Sequence, residues 1–323
     1  MPQKKRNKAA PAYRLQDTPD KGKVVVAGRN IKQGTVIFEE SPILYTSDIT
    51  DEDILEQFNK LNLKDKDKVL SLSTIPEEDP SKKVLSLFRR RNINKSKCKG
   101  GQALYFVLSR VKHSCGANII LSPVGGKSVG KIEIRACRDI KKGDELRADY
   151  LPGINLFEPK RERTKVFGER FSCDCPVCLL PEKTESETNE TIRKNIKEHY
   201  RNTSIYMTLG DFLQALDHCK AMLAEMELLG DEVFPKRVSV SLECWQLAVL
   251  ANLQRPEVDI DVEMFREKAR QLCCVLGKAQ LSKWERTDEI VQKGNFVEFD
   301  TVKLRSSGPW AVQIIENLTQ AKV

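Results

Sequence analysis

The 323-residue sequence predicts an α+β protein with short strands in its first half and helices in its second. Ile132, Ile134 and Ala136 alternate with charged residues, which is the period-two pattern of a half-buried strand. The second half instead repeats apolar residues at helical spacing, as in Phe212, Leu216, Cys219, Leu223 and Met226. A chain of this length can bury a sizeable core, and we expect two domains.

The first half is predicted to contain several short strands separated by turns. β-Branched and apolar runs place these strands at 24–26, 35–38, 42–45, 118–121 and 145–150. The mostly apolar residues 104–111 fit either a helix or a strand. Glycine-containing turns at 31–34, 125–126 and 141–144 separate the segments.

A helical insertion of about residues 48–100 is predicted between these strands. Its apolar residues recur at helical spacing among charged ones, namely Ile54, Leu55, Phe58 and Leu61, and again Val84, Leu85 and Phe88. Its end, residues 89–99, is strongly basic.

The C-terminal region is predicted to be a set of helical hairpins over residues 192–290. A second apolar stripe there consists of Phe265, Ala269, Leu272 and Leu276. Residues 182–191 are acidic and rich in Ser and Thr, which favours a linker. Residues 291–323 form a weakly patterned C-terminal tail.

The chain is mildly basic, with 54 Lys and Arg against 46 Asp and Glu and a net charge of +8. Residues 1–20 are predicted to be a flexible basic N-terminus. Part of the positive excess lies there, at Lys4, Lys5, Arg6 and Lys8. A solvated tail is favoured there over a nuclear import signal or a weak nucleic-acid contact. Specific nucleic-acid binding is not expected, because no recognition helix of zinc-finger spacing follows the cysteines.

The sequence favours a nuclear or cytoplasmic protein that is neither secreted nor inserted in a membrane. It lacks an apolar run of about eighteen residues, and its start lacks the apolar core of a secretory signal. The ten cysteines are therefore expected to be thiols or metal ligands rather than disulfides. Four of them lie in apolar helical patterns and are predicted to pack in the core: Cys219, Cys244, Cys273 and Cys274.

The strongest chemical signal is the CxCxxC run formed by Cys173, Cys175 and Cys178. Three thiolates at this spacing can reach one ion, and a structural zinc site requires a fourth ligand. Cys115 is the best candidate for that ligand. One zinc ion bound by all four would fasten the segment around residue 175 to the segment around residue 113.

Four motifs in this order resemble those of the SET-domain protein lysine methyltransferases. They are GKVVVA at 22–27 with RNIKQG at 29–34, SRVKHSCGAN at 109–118, RDIKKGDEL at 138–146 with ADY at 148–150, and FSCDCPVC at 171–178. The split core followed by cysteines and helices is most similar to the SMYD-type branch. Within it, the chain resembles the small fungal SET proteins that lack a MYND finger.

The resemblance implies a fold of short curved β-sheets with a pseudoknot near the C-terminal tyrosine. It places the SET domain at residues 21–151, including the helical insertion, and a post-SET zinc-binding segment at 152–181. The C-terminal hairpins then correspond to a TPR-like helical region. Knot-like threading is rare, so packing and the zinc site are expected to stabilise it.

The resemblance also implies S-adenosylmethionine as methyl donor and a narrow channel that admits a substrate lysine. Tyr150 matches the tyrosine that orients the lysine amine, although a plain strand-end aromatic is the alternative. The residues that match donor-contacting positions of the family are Gly22, Lys23, Val24, Asn92, Lys112, His113 and Phe171. Phe171 fits equally well as packing beside the zinc site. The implied partner is a protein substrate, histone or non-histone, with a target lysine.

Three residues depart from the family pattern. Lys112 replaces an asparagine, Val24 replaces a glycine, and Ala117 replaces a proline. Lys112 would lose side-chain amide contacts to the donor, and Val24 would be strained if its backbone required positive φ. The alternative function is therefore a catalytically weakened or inactive SET scaffold whose C-terminal helices bind a partner peptide.

Overall fold

The computed structural model describes residues 10–19, 22–47, 50–73, 79–91, 101–124, 129–151, 153, 155–167, 173–179, 185–299 and 315. The chain divides into two compact units. The first comprises Met1–His113 and Asn118–Ala148, and the second comprises Ser114–Ala117 and Asp149–Val323. The short loop 114–117 thus belongs to the second unit although its neighbours in sequence belong to the first.

The strands of the described residues all lie in the first unit. In chain order they are β1 (Tyr13–Thr18), β2 (Gly22–Ala27), β3 (Val36–Glu40), β4 (Leu44–Thr46), β5 (Gln102–Leu104), β6 (Lys112–His113), β7 (Ile119–Pro123), β8 (Ile132–Ala136) and β9 (Arg147–Ala148). They form a five-stranded sheet in the order β3-β8-β7-β9-β6 and two separate pairs, β1-β2 and β4-β5. This is the arrangement of short sheets that the sequence predicted.

Strand β1 corrects, over Tyr13–Thr18, the prediction of a flexible N-terminus at residues 1–20. It pairs antiparallel with β2, with Leu15 opposite Val25, and the Tyr13 ring packs against Phe38 with centroids 4.4 Å apart. Most of its side chains are exposed, so the sequence shows no apolar alternation there. The strand forms because backbone pairing with the buried β2 satisfies hydrogen bonds that local composition does not reveal.

Other strand boundaries also differ from the predicted ones. The final strand covers only 147–148 rather than 145–150, because its parallel pairing with β6 and β7 involves just these residues. Residues 104–111, for which helix and strand were both open, contain the end of β5 and a 3-10 turn at Leu108–Arg110. The core of this unit consists mainly of apolar residues from β2, β7 and β8, with single residues from β3, β5 and β9 and others from the adjoining turns.

The predicted insertion contains three helices, α1 (Asp51–Asn59), α2 (Leu63–Leu70) and α3 (Pro80–Arg91). The side chains of Thr50 and Asn62 cap α1 and α2 by accepting hydrogen bonds from backbone amides three residues on. Ile54, Phe58 and the apolar residues of α3 form a separate small core with β4 and β5. Asn92 lies outside the described residues.

The second unit is helical, with α4 (Lys160–Phe167), α5 (Pro176–Leu179), α6 (Glu185–Leu209), α7 (Phe212–Leu228), α8 (Phe234–Gln254), α9 (Val262–Leu276) and α10 (Lys278–Lys293). Each helix from α6 to α10 packs against the next, as helical hairpins do. Helix α6 begins at 185, inside the predicted linker. Its Glu190 accepts hydrogen bonds from Lys160 and Arg163, which are tertiary contacts invisible to local composition.

Three of the four helical cysteines are buried, as predicted, at Cys219, Cys244 and Cys273. Cys274 is exposed, which corrects the prediction that it packs in the core. It follows a buried cysteine by one residue, and one residue rotates the side chain by about 100° around a helix. None of the described helices is both long and apolar enough to cross a membrane.

Candidate functional site

The four predicted metal ligands converge within the second unit. The sulfur atoms of Cys115, Cys173, Cys175 and Cys178 all lie within 4.8 Å of one another. The Cys115 sulfur is 3.7 Å from that of Cys178, and the Cys115 amide donates to the Cys175 sulfur at 3.4 Å. All are buried except Cys173, which is half-buried. The structure therefore brings together residues 60 positions apart in the chain.

A single helical turn places the last two sulfurs. Pro176 begins α5, where its missing N–H costs no hydrogen bond. The amides of Cys178 and Leu179 donate to the Cys175 carbonyl at 2.9 and 3.0 Å. This turn brings positions 175 and 178 to one side of the chain. In the facing loop, the Ser114 hydroxyl accepts from the Gly116 amide at 3.1 Å and tightens the backbone beside Cys115.

The chemistry of the cluster suits a zinc ion. Hydrogen bonding from Cys115 lowers the pKa of Cys175 and lowers that of Cys178 to about 6. Four thiolate sulfurs fit the tetrahedral geometry of structural zinc and leave no coordination position open for catalysis. The cluster could therefore hold one zinc ion of the structural type.

A buried arginine that the sequence analysis missed contacts this cluster. The side chain of Arg163, on α4, is 1% exposed, and its guanidinium lies 3.8 Å from the Cys178 sulfur. It also donates to the Glu158 carbonyl at 2.7 Å and to the Glu190 carboxylate at 3.1 Å. Burial opposes its charge, but the Cys115 sulfur, Cys178 and Glu190 outweigh that effect and hold the pKa of Arg163 above its ordinary value. Its partners are distant in sequence, so no local pattern identifies it.

Tyr150, the predicted catalytic tyrosine, lies in an irregular segment of the second unit and is 46% exposed. The neighbouring Asp149 carboxylate accepts from the Leu151 amide at 2.8 Å, which closes a tight turn around Tyr150. Lys236 of α8 donates to the Gly153 carbonyl at 2.8 Å and lies 4.0 Å from the Asp149 carboxylate. Lys236 is a second residue that the sequence analysis missed, since only the folded helix brings it to this turn.

The predicted donor-binding residues near 22 lie at the start of β2 in the first unit. Gly22 has φ of +65°, and no atom of the other described residues lies within 4 Å of the place a Cβ would take. Lys23 is exposed and pairs with Asp17. Val24 is buried in β2 opposite Gln16. A paired strand is extended, so valine causes no backbone strain there, and the strain considered for this departure does not arise.

Lys112 and His113 form β6, which pairs in parallel with Arg147 and Ala148 of β9. His113 is buried and Lys112 is half-buried. Asn118, which directly precedes β7, links that strand to the segment 145–147 through its side chain. Its side chain donates to the Glu145 carbonyl at 2.9 Å and accepts from the Arg147 amide at 2.8 Å. The sequence did not predict this role of Asn118. Phe171 lies outside the described residues.

Comparison with known sequences finds a family match over part of the chain. The family model described as SET domain matches residues 22–151. Histone-lysine N-methyltransferase set5 of Schizosaccharomyces pombe is 27% identical over 222 residues, covering 67% of this chain and 66% of that protein. Histone-lysine N-methyltransferase SET5 of Yarrowia lipolytica is 35% identical over 104 residues, covering 29% of this chain and 23% of that protein.

A further relative belongs to the SMYD branch. N-lysine methyltransferase SMYD2-A of Xenopus laevis is 27% identical over 144 residues, covering 39% of this chain and 31% of that protein. The chain therefore spans just under two thirds, about a quarter and about a third of these three curated relatives. Residues 22–151 thus match the SET-domain family model, and the curated relatives named here are described as lysine methyltransferases.

Proposed function

We propose that this protein is an S-adenosylmethionine-dependent protein-lysine N-methyltransferase. The observation that carries the proposal is the SET-domain match over residues 22–151, which includes the HSC motif and Tyr150. The substrate is a lysine of a histone or another protein in the nucleus or cytoplasm. The cysteine cluster supports the same proposal, because it reproduces the zinc-held segment that follows the SET core in such enzymes.

The proposed chemistry needs few ionisable groups. S-adenosylmethionine, when bound, supplies an electrophilic methyl group on a sulfonium. The lysine amine must be neutral to attack, and a dry channel lowers its pKa by disfavouring the charged form. The protein therefore contributes alignment and exclusion of water rather than acid–base catalysis.

Tyr150 is proposed to orient the amine through its hydroxyl group. The hydrogen bond from the Leu151 amide to Asp149, together with Lys236, supports the turn that carries it. The zinc-held segment around Cys175 is proposed to close the lysine channel. Phe171 is assigned to the channel or the donor by resemblance alone.

The donor is proposed to contact Gly22, Lys23, Lys112 and His113, with Asn92 added by resemblance. Gly22 suits this role because its positive φ and the open space beside its Cα allow a ligand to approach the backbone. Val24 is no obstacle to the backbone conformation, because it lies in a paired strand. Of the three departures from the family pattern, Lys112 affects donor binding most. Its positive ammonium group would repel the positive sulfonium of S-adenosylmethionine.

The experiment that tests donor binding is calorimetric titration of S-adenosylmethionine into the natural protein and into Lys112→Asn. Binding by the natural protein supports the enzyme. Binding by Lys112→Asn alone would favour the second candidate, an inactive SET scaffold in which the helices of the second unit bind a partner peptide. That candidate is kept because Lys112 departs from the family pattern.

A further inference from the structure

The guanidinium of Arg163 occupies an environment that is unusual for a charged group. Its side chain is 1% exposed, and Glu190 is the one carboxylate that pairs with it in the described part of the chain. Glu190 itself is 28% exposed, so water screens part of its charge. A buried charge is costly unless it is paired and hydrogen-bonded. Among the described residues, the other neighbour of Arg163 that can carry negative charge is the cysteine cluster.

The cluster and the guanidinium are complementary in charge. Four thiolates around one Zn²⁺ leave a net double negative charge in a buried place. The Arg163 guanidinium lies 3.8 Å from the Cys178 sulfur, within range of an N–H···S hydrogen bond. A charge-assisted hydrogen bond of this type is stronger than one between neutral partners. The arginine therefore stabilises the thiolate form of the cluster, and the cluster stabilises the buried cation.

The same guanidinium connects the cluster to two other parts of the second unit. One nitrogen donates to the Glu158 carbonyl at 2.7 Å and to Glu190 at 3.1 Å. Glu190 lies in α6, the first helix of the C-terminal hairpins. The planar guanidinium can make these contacts together with the one to Cys178, whereas an ammonium is a point charge on a flexible stem. Arg163 thus fixes the orientation of Cys178 relative to α6.

We propose that Arg163 is a positioning residue of the zinc site, which offsets its negative charge, holds Cys178 in place and couples metal retention to helix α6. The inference concerns the metal site and does not depend on methyl transfer. Partners of this kind, which contact metal ligands, typically change metal affinity by about 10–100-fold when removed.

The test measures zinc release from the purified zinc-loaded protein to a chelating dye, 4-(2-pyridylazo)resorcinol. Arg163→Met keeps the apolar stem and removes the charge, and Arg161→Met on the same helix, exposed in the structure, is the matched control. Release from Arg163→Met is expected to be about 10–100-fold faster than from the natural protein. Arg161→Met should release zinc at the natural rate. Equal rates for all three proteins would overturn the proposal.

A spectroscopic measurement separates this role from packing alone. In the cobalt-substituted protein, the thiolate-to-metal charge-transfer band should shift to longer wavelength in Arg163→Met, because the cation no longer stabilises the sulfur electrons. An unshifted band in a folded variant would overturn the electrostatic part of the proposal.

A second variant covers the case in which Arg163→Met does not fold. Arg163→Lys keeps the positive charge but loses the planar set of N–H donors of the guanidinium. It should therefore release zinc faster than Arg161→Lys. Equal release by these two lysine variants would overturn the proposal. A natural preparation that is folded and holds no zinc would overturn the metal site itself.

Discussion

The ammonium group of Lys236, near the start of α8, donates a 2.8 Å hydrogen bond to the backbone oxygen of Gly153. It also lies 4.0 Å from the Asp149 carboxylate, so one side chain contacts the backbone that follows Tyr150 and the carboxylate that precedes it. The Lys236 side chain is 29% exposed, which limits screening of these contacts by water. The helical hairpins thus support the segment of the proposed catalytic tyrosine directly.

Replacing Lys236 by methionine should loosen this turn without unfolding the protein. The loss of one charged hydrogen bond is expected to cost about 1–2 kcal/mol of local stability. Amide hydrogen exchange at Tyr150 and Leu151 should accelerate by about five- to thirtyfold. Lys278→Met, an exposed lysine on α10, is the control and should leave exchange at these amides unchanged. Identical exchange in both variants would show that Lys236 does not hold the turn.

Replacing Cys175 by serine should remove the structural zinc. Cys175 contributes one of the four sulfurs and accepts the Cys115 amide hydrogen bond, so its loss affects both sides of the cluster. Metal analysis should give about one zinc per natural chain and much less per Cys175→Ser chain, with a lower melting temperature. Cys274→Ser, at an exposed cysteine, should keep its zinc. A Cys175→Ser protein with full zinc content would contradict the assigned ligand set.

Zinc retention should weaken as the pH falls. Each of the four cysteines must lose its proton to bind zinc as a thiolate. Protons therefore compete with the ion for the four sulfurs, and this competition grows as the pH falls. Zinc release to the chelating dye should therefore be faster near pH 5 than near pH 8. Release that is independent of pH over this range would contradict the account.

Glu40 should be more important for stability than its neighbour Glu39. Its carboxylate accepts hydrogen bonds from the amides of Val107 and Leu108, at 2.7 and 2.9 Å, and so fixes the 3-10 turn that precedes β6. Burial raises the pKa of Glu40, because the carboxylate loses hydration there. Glu40→Ala should lower the free energy of unfolding in urea by about 1–3 kcal/mol, because it leaves part-buried amides unpaired.

Glu39→Ala is the matched control for that experiment. Glu39 is exposed and pairs with Lys131, and surface ion pairs contribute little to stability. Its removal should change the free energy of unfolding by less than about 1 kcal/mol. Equal losses in the two variants would contradict the role assigned to Glu40.

The metal centre was predictable from sequence because its ligands have a chemically specific spacing. The CxCxxC run fixes three sulfurs, and Cys115 is placed by its motif, so the four-residue set was confirmed as a cluster. The strand at 132–136 was predictable for a similar reason, since one face is buried and the other is charged. In both cases the residue types and their spacing directly reflect what the structure requires, which is sulfur ligands in the first and one buried face in the second.

Other features depend on contacts between distant residues and leave no such pattern. Strand β1 is mostly exposed and forms only through its pairing with β2. Arg163 is buried because residues 158, 178 and 190 surround it, and nothing in the sequence of α4 distinguishes it from Arg161. The assignment of Tyr150 to the reaction stays a prediction, because it follows from the family resemblance.

The central claim is that this SET domain transfers a methyl group to protein lysine. The most direct measurement follows label from S-adenosylmethionine with a tritiated methyl group into proteins of a matched cell lysate, with zinc-loaded natural protein and with Tyr150→Phe. We predict label on lysine residues with the natural protein and at least about a hundredfold less with Tyr150→Phe, since the hydroxyl that orients the amine is absent. No labelled lysine with the folded, zinc-loaded natural protein would contradict the account.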